Sequence, residues 1–250
     1  MAAKALLYGA TRRPSNVPFA APEEETEPSG STGHVSFDIE ANIRSAASVE
    51  SSRGVGRFTR ALGGAFLRLS GWRVEGRLPD AAKAVVIAAP HTSNWDLPLM
   101  LAVAYVLGIR PAWLGKRELF RSPFGWLMRW LGGVPVDRAA RQNLVQQAVD
   151  RFNALDRLHL VVPPSGTRRR ATHWRSGFYH IARGARVPIV CGFLDYGRRV
   201  GGIGPTLTPS GDLATDMDGL RAFYANITGK YPGLTTPVRL LEEDQSAPAA

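Results

Sequence analysis

The sequence predicts an α/β domain built on a mostly parallel sheet flanked by helices, and three observations lead to that prediction. Short apolar runs rich in Val, Ile and Leu recur at 84–89, 158–162 and 187–194, each of a length that suits a buried strand. Between them lie stretches whose apolar residues repeat at helical spacing. Strand patterns alternating with helical patterns imply crossover connections, and therefore parallel pairing.

Taken in order, residues 1–52 mix Pro, Ser and Gly with the cluster Glu23, Glu24, Glu25 and Glu27 and keep no period, so they read as a tail. From Arg57 the pattern changes. Phe58, Leu62, Ala65, Phe66 and Leu69 fall on one helical face, with Arg53, Arg57, Arg60 and Arg68 around it. Such a basic amphipathic helix either lies on a membrane surface or packs on the domain core. Trp72–Gly76 reads as a short strand and Ala84–Ala89 as the central one, ended by Pro90. Leu97, Met100, Leu101 and Ala104 then repeat as a helix, and Pro111–Leu114 is a further strand.

A helix is expected over 119–131, where Phe120, Phe124, Trp126, Leu127, Trp130 and Leu131 recur, its aromatic residues facing either core or lipid. Further helices are expected over Asn143–Leu155, Ser176–Ala185 and Asp212–Ile227, with strands at Leu158–Val162 and Val187–Leu194 and an extended Gly-rich stretch at 199–208. The domain should therefore occupy 53–230, with 231–250 a polar tail.

The formal charge of +10 and pI near 10.4 point to an anionic partner: nucleic acid, anionic lipid or a phosphorylated substrate. No helix-turn-helix, zinc-finger or RNA-binding sheet pattern accompanies the charge, so nucleic acid is not expected. The charge is almost all arginine, the lysines being Lys4, Lys83, Lys116 and Lys230; arginine favours bidentate phosphate contacts. A single cysteine, Cys191 in an apolar run, excludes an internal disulfide and a Cys-based zinc site, and no metal is expected. No run of about 18 apolar residues is present, so no spanning helix is expected.

Chemistry concentrates after the central strand, in Pro90-His91-Thr92-Ser93-Asn94-Trp95-Asp96. His91 falls on a strand-to-helix turn and Asp96 on the first helical turn, so one carboxylate can reach back to one imidazole nitrogen. That contact would fix the tautomer and leave the other nitrogen to take a proton from a hydroxyl. The structural alternative is a loop histidine beside an acid that answers the helix dipole. A second motif, Ser165-Gly166-Thr167-Arg168 after Pro163-Pro164, either cradles phosphate or is an ordinary turn beside the solvated arginines 168–170. His159 and His180, in apolar surroundings, read as structural.

These motifs together resemble the glycerolipid acyltransferase family, the lysophosphatidate acyltransferases and their relatives. His91 and Asp96 match that family's first block. Lys116-Arg117-Glu118-Leu119-Phe120 through Gly132-Gly133-Val134-Pro135-Val136-Asp137-Arg138 resembles the second. Gly166-Thr167-Arg168 matches the third and Val187-Pro188-Ile189-Val190 the fourth, and the likeness covers roughly 57–230. Four blocks in the right order are far more specific than any one of them. One residue departs: Ser165 stands where the family usually has glutamate, which bears on the acceptor more than on acyl transfer.

The resemblance implies the family's fold and an attack of a lipid hydroxyl on an acyl thioester, with His91 as base and Asp96 orienting it. Lys116, Arg117, Arg138, Ser165, Gly166, Thr167 and Arg168 are the implied substrate-binding residues. Acyl-CoA or acyl-carrier protein would be the co-substrate and a lyso-glycerophospholipid the acceptor, with no resident cofactor. Backbone N–H groups near the turn or at Gly166 are the expected oxyanion donors. The expected location is the cytoplasmic face of a membrane, held peripherally by apolar contacts and arginines. The other readings are the same chemistry on an amino-lipid or a different lyso-lipid, motivated by Ser165, and a non-catalytic lipid-binding protein.

Overall fold

The computed structural model of the chain describes residues 55–121, 123–136 and 144–246. The expected tail at 1–52 lies outside them. A seven-stranded sheet organises the rest. Its strands are β1 (Arg73–Glu75), β2 (Lys83–Ala89), β3 (Pro111–Lys116), β4 (Gly133–Val136), β5 (Leu158–Val162), β6 (Ile189–Asp195) and β7 (Val200–Leu207). Their order is β1-β7-β6-β2-β5-β3-β4, and every neighbouring pair is parallel except β6 and β7. The central strand β2 is covered on both faces, which is why its sequence is an unbroken apolar run rather than an alternation.

Helices α1 (Arg57–Leu69) and α2 (Asp96–Val106) lie against one face of the sheet, with the short α3 (Gly125–Trp130) beside β3 and β4. Helices α4 (Leu144–Ala154), α5 (Gly177–Ala185) and α6 (Leu213–Tyr224) build the core on the other face with Ile87, Phe152, Phe178 and Met217. α2 is apolar nearly all round because it is sandwiched between the sheet and α1. α6 starts where the sequence places a cap: the Asp212 carboxylate accepts the N–H groups of Ala214 and Thr215.

The apolar stripe of α1, for which membrane surface and core packing were both open, does not pack as a whole. Gly63 and Leu67 pack, with a Gly63 Cβ position only 3.1 Å from the Ala102 carbonyl, while Phe58, Leu62 and Leu69 stay exposed. The helix expected over 119–131 breaks into a 3₁₀ turn (Arg117–Phe120) and α3. Pro123, which has no N–H to donate to a helical ladder, stands between the two. Of the aromatic residues of that stretch, Phe120 is core, while Phe124, Trp126 and Trp130, for which core and lipid were both open, are exposed.

Finally, the polar tail expected from residue 231 begins later than that. Leu240 is fully buried in the core, Trp174 N–H donates to the Arg239 carbonyl (2.8 Å), and a short helix α7 (Leu241–Ser246) follows. Isolated apolar anchors among Thr and Pro leave no period to read, so sequence pattern alone could not find them.

Candidate active site

In an open parallel sheet, ligands bind beyond the carboxyl ends of the strands, where successive connections leave in opposite directions. β2 is such a point, because the chain places β5 on one side of it and β6 on the other. Four segments converge there: the turn after β2 carrying His91, the end of β3 with Lys116, the loop after β5 carrying Gly166–Arg168, and Tyr196 just after β6.

Asp96 is 4% exposed and holds the turn together. Its Oδ2 accepts the N–H of Thr92 (2.8 Å), the N–H of Ser93 (2.9 Å) and His91 Nδ1 (3.1 Å). Its Oδ1 accepts the Tyr196 hydroxyl at 2.7 Å. Burial alone would raise the Asp96 pKa, but the hydrogen bonds from His91, Tyr196 and the Ser93 N–H outweigh it and hold the carboxyl below the usual range. Because Nδ1 faces a carboxylate, it carries the proton in the neutral ring, and Nε2 is left with a lone pair. Trp95 stands at the N-cap without a side-chain bond to the helix, and Ser93 Oγ accepts the Trp95 N–H at 3.1 Å.

His91 lines a cavity of about 810 Å³ between α2 and the sheet. One end is cationic, with Lys116, Arg168, Arg169 and Arg175, and includes Gly166 and Thr167. The other end is apolar and runs along α2 past Met100 and Ala104 to Leu107 and Ile109. Gly166 has φ +64° and sits under Arg175, whose Nε would lie 2.7 Å from any Cβ there. Glycine is needed at that position for both reasons.

Of the other residues singled out by sequence, Ser165 is buried and does not line this cavity. Its hydroxyl donates to the Thr167 carbonyl (2.8 Å), and it borders a separate hollow of about 20 Å³ that also touches His91 and Trp174. Arg117 sits exposed in the 3₁₀ turn and is not part of the cavity lining. Arg138 lies outside the described residues. Of the backbone donors expected for an oxyanion, three are engaged: Thr92 and Ser93 N–H with Asp96, and Gly166 N–H with the Pro163 carbonyl (3.0 Å).

Sequence reasoning missed Tyr196, Arg169 and Arg175. Only Arg175 left a local trace, in Trp174-Arg175-Ser176-Gly177, where a buried tryptophan and a helix start fix its backbone beside Pro164. Among the described residues no group of three or more His, Cys, Asp or Glu is placed to hold a metal, and no helix is long and apolar enough to cross a membrane.

Comparison with known proteins adds three findings. Residues 72–192, which contain all four sequence blocks, match the family model described as Acyltransferase. The 1-acyl-sn-glycerol-3-phosphate acyltransferase of Haemophilus influenzae is 31% identical over 132 residues, 49% of this chain and 53% of that protein. The protein of the same name from Streptococcus pneumoniae is 29% identical over 119 residues, 46% of this chain and 42% of that protein. The matched part thus spans about half the length of these curated relatives. The crystal structure of the 1-acyl-sn-glycerophosphate acyltransferase of Thermotoga maritima aligns with a TM-score of 0.49 at 20% identity, over 69% of this chain and 81% of that one.

Proposed function

We propose that this chain, a member of the glycerolipid acyltransferase family, moves a fatty acyl group from an acyl thioester to the hydroxyl of a lyso-glycerophospholipid of the 1-acylglycerol-3-phosphate type. The observation that carries the reading is the His91–Asp96 contact at the mouth of a cavity that is cationic at one end and apolar along the other. A lyso-lipid has that polarity: phosphate at one end, hydrocarbon at the other, hydroxyl between.

A lipid hydroxyl is a poor nucleophile at neutral pH. His91 Nε2 takes its proton as the oxygen attacks the thioester carbonyl, and Asp96 stabilises the imidazolium that forms. The tetrahedral intermediate then collapses, the C–S bond breaks, and the leaving thiolate takes the proton from Nε2. No enzyme nucleophile is required. Since the backbone N–H groups at 92, 93 and 166 are already engaged, charge building on the thioester oxygen falls to other donors at the cavity. Lys116, Arg168, Arg169 and Arg175 hold the acceptor phosphate, and arginine forks suit it best.

The donor is acyl-CoA or acyl-carrier protein, and the enzyme works at a membrane surface without leaving its substrate's bilayer. α1 supports this with exposed Phe58, Leu62 and Leu69 beside Arg57 and Arg68. A different acceptor remains the second reading, favoured by Ser165, which removes a carboxylate from the loop beside Arg168. The cations lining the cavity weigh against an amino-lipid.

The test is labelled acyl-CoA and acyl-carrier protein with a panel of lyso-lipids and amino-lipids. Transfer should appear with a phosphorylated lyso-lipid, and His91→Ala should lower it by roughly 10³-fold, the usual worth of a positioned base. No transfer to any acceptor, or full activity in the folded variant, would overturn the reading.

A further inference from the structure

We infer that Tyr196 is a positioning residue for the reaction, acting on His91 through the second oxygen of Asp96. The inference rests on the acyl-transfer reading above, but its geometry lies outside the four sequence blocks.

Asp96 has one oxygen turned to His91 and the turn N–H groups, and the other to Tyr196 alone among the described residues. A carboxylate held by only one oxygen can rotate about its Cβ–Cγ bond and carry the imidazole with it. The tyrosine hydroxyl fixes that torsion from the far side. Its own placement is over-determined. Tyr196 N–H donates to the Thr228 carbonyl at 2.8 Å, and the Trp72 ring meets the tyrosine ring edge-on at 4.9 Å. Just before it, Asp195 ties the strand end down by accepting the Gly197 N–H and Arg198 Nε. Tyr196 is not among the residues that line the cavity, so its reach to the reacting atoms is through Asp96 and His91.

The hydroxyl also acts electrostatically. A hydrogen bond donated to Oδ1 draws charge from the carboxylate and so weakens its hold on the imidazolium. Removing it concentrates that charge on Oδ2 and makes His91 more basic. The groups facing this cluster are Tyr231 after α6, Lys230 over the Trp95 ring, Lys116 at the end of β3, and Arg168, Arg169 and Arg175 after β5. All of them remain in a Tyr196→Phe protein, so a shift between the two belongs to the lost hydroxyl.

Tyr196→Phe keeps the ring and its contact with Trp72 and removes one oxygen. We expect kcat to fall roughly 10-fold, the worth of a hydrogen bond to a charged group, with KM unchanged. The acid limb of the pH–rate profile should move upward. In an Asp96→Asn background the same substitution should change kcat less than about twofold, because two residues acting through one link are not additive. Nitrogen NMR of the His91 ring, assigned with His91→Gln, should show the higher pKa without any turnover assay. An unshifted ring, or an equal loss of rate in both backgrounds, would overturn the inference. If instead the ring shifts but the wild-type protein transfers no acyl group, the positioning stands and the acyl-transfer reading fails.

Discussion

Replacing Phe58, Leu62 and Leu69 together by Ser should release the protein from membranes while leaving its fold intact. These side chains are 81%, 60% and 90% exposed, so the folded domain gains almost nothing from them. Full burial of such a side chain is worth ~1.5–3 kcal/mol. Weighting by the exposed fractions gives about 2, 1 and 2 kcal/mol, so complete insertion of the triplet would contribute ~5 kcal/mol. Insertion to half that depth still leaves ~2.5 kcal/mol, which is roughly 60-fold in partitioning at a factor of ten per 1.4 kcal/mol. The arginines beside the face, Arg57 and Arg68, add ~1 kcal/mol each on an anionic surface and nothing on a neutral one. The assay is co-sedimentation with vesicles of phosphatidylcholine alone and with added phosphatidylglycerol, read beside the thermal midpoint. A loss of roughly 50-fold or more with an unmoved midpoint is expected. Binding unchanged in the triple variant would refute the reasoning, because the free energy assigned to inserting these side chains would then be absent. A lowered midpoint would mean instead that the face packs on protein.

Two further outcomes follow from the site. The Asp96 carboxyl is held below its ordinary range, so the stability it contributes is present above its unfolded pKa of ~3.9 and is lost as pH falls through the lower folded value. Asp96→Asn should therefore flatten the acid-side loss of stability, seen as denaturant midpoints between pH ~5 and ~2.5, and should lower kcat by ~100-fold or more through the wrong imidazole tautomer. Gly166→Ala combines a left-handed backbone position with a Cβ that would lie 2.7 Å from Arg175 Nε. It should cost about 1 kcal/mol in stability and raise KM for the phosphorylated acceptor by displacing that guanidinium, measured by denaturation and steady-state kinetics.

The parts of this molecule that were legible in sequence are those whose cause is local. β2, β5 and β6 announce themselves as apolar runs because both faces are covered, and α6 because Asp212 is its cap. His91 and Asp96 were legible for the same reason: a strand end, a proline and a helix start within seven residues fix their approach. Direction was not legible. The period of α1 shows an apolar face, but which face packs was decided by Gly63, small enough to let α1 close on the α2 backbone at Ala102. With the packing side set by a missing side chain, Phe58, Leu62 and Leu69 were left to water.

The same contrast explains why half of the site was missed. Tyr196 stands 100 residues from Asp96 and meets it because β6 is laid beside β2 in parallel, so both strands end at one edge of the sheet. Nothing near Tyr196 in the chain carries that information; the strand order does. Arg175 likewise reaches Gly166 because its backbone N–H is tied to the Pro164 carbonyl, a loop contact with no sequence period. Ser165 shows the opposite error. The motif places it among phosphate-binding residues, yet with its hydroxyl turned to the Thr167 carbonyl it faces a hollow of about 20 Å³, little more than the space of one water. A longer acidic side chain there would have to leave that hollow, and the residue it would then meet is set by the loop and not by the motif. Under the proposed reading, acceptor choice is therefore better sought in the cations that line the cavity, Lys116, Arg168, Arg169 and Arg175, beside which the already engaged Asp96 is the one carboxylate among the described lining residues.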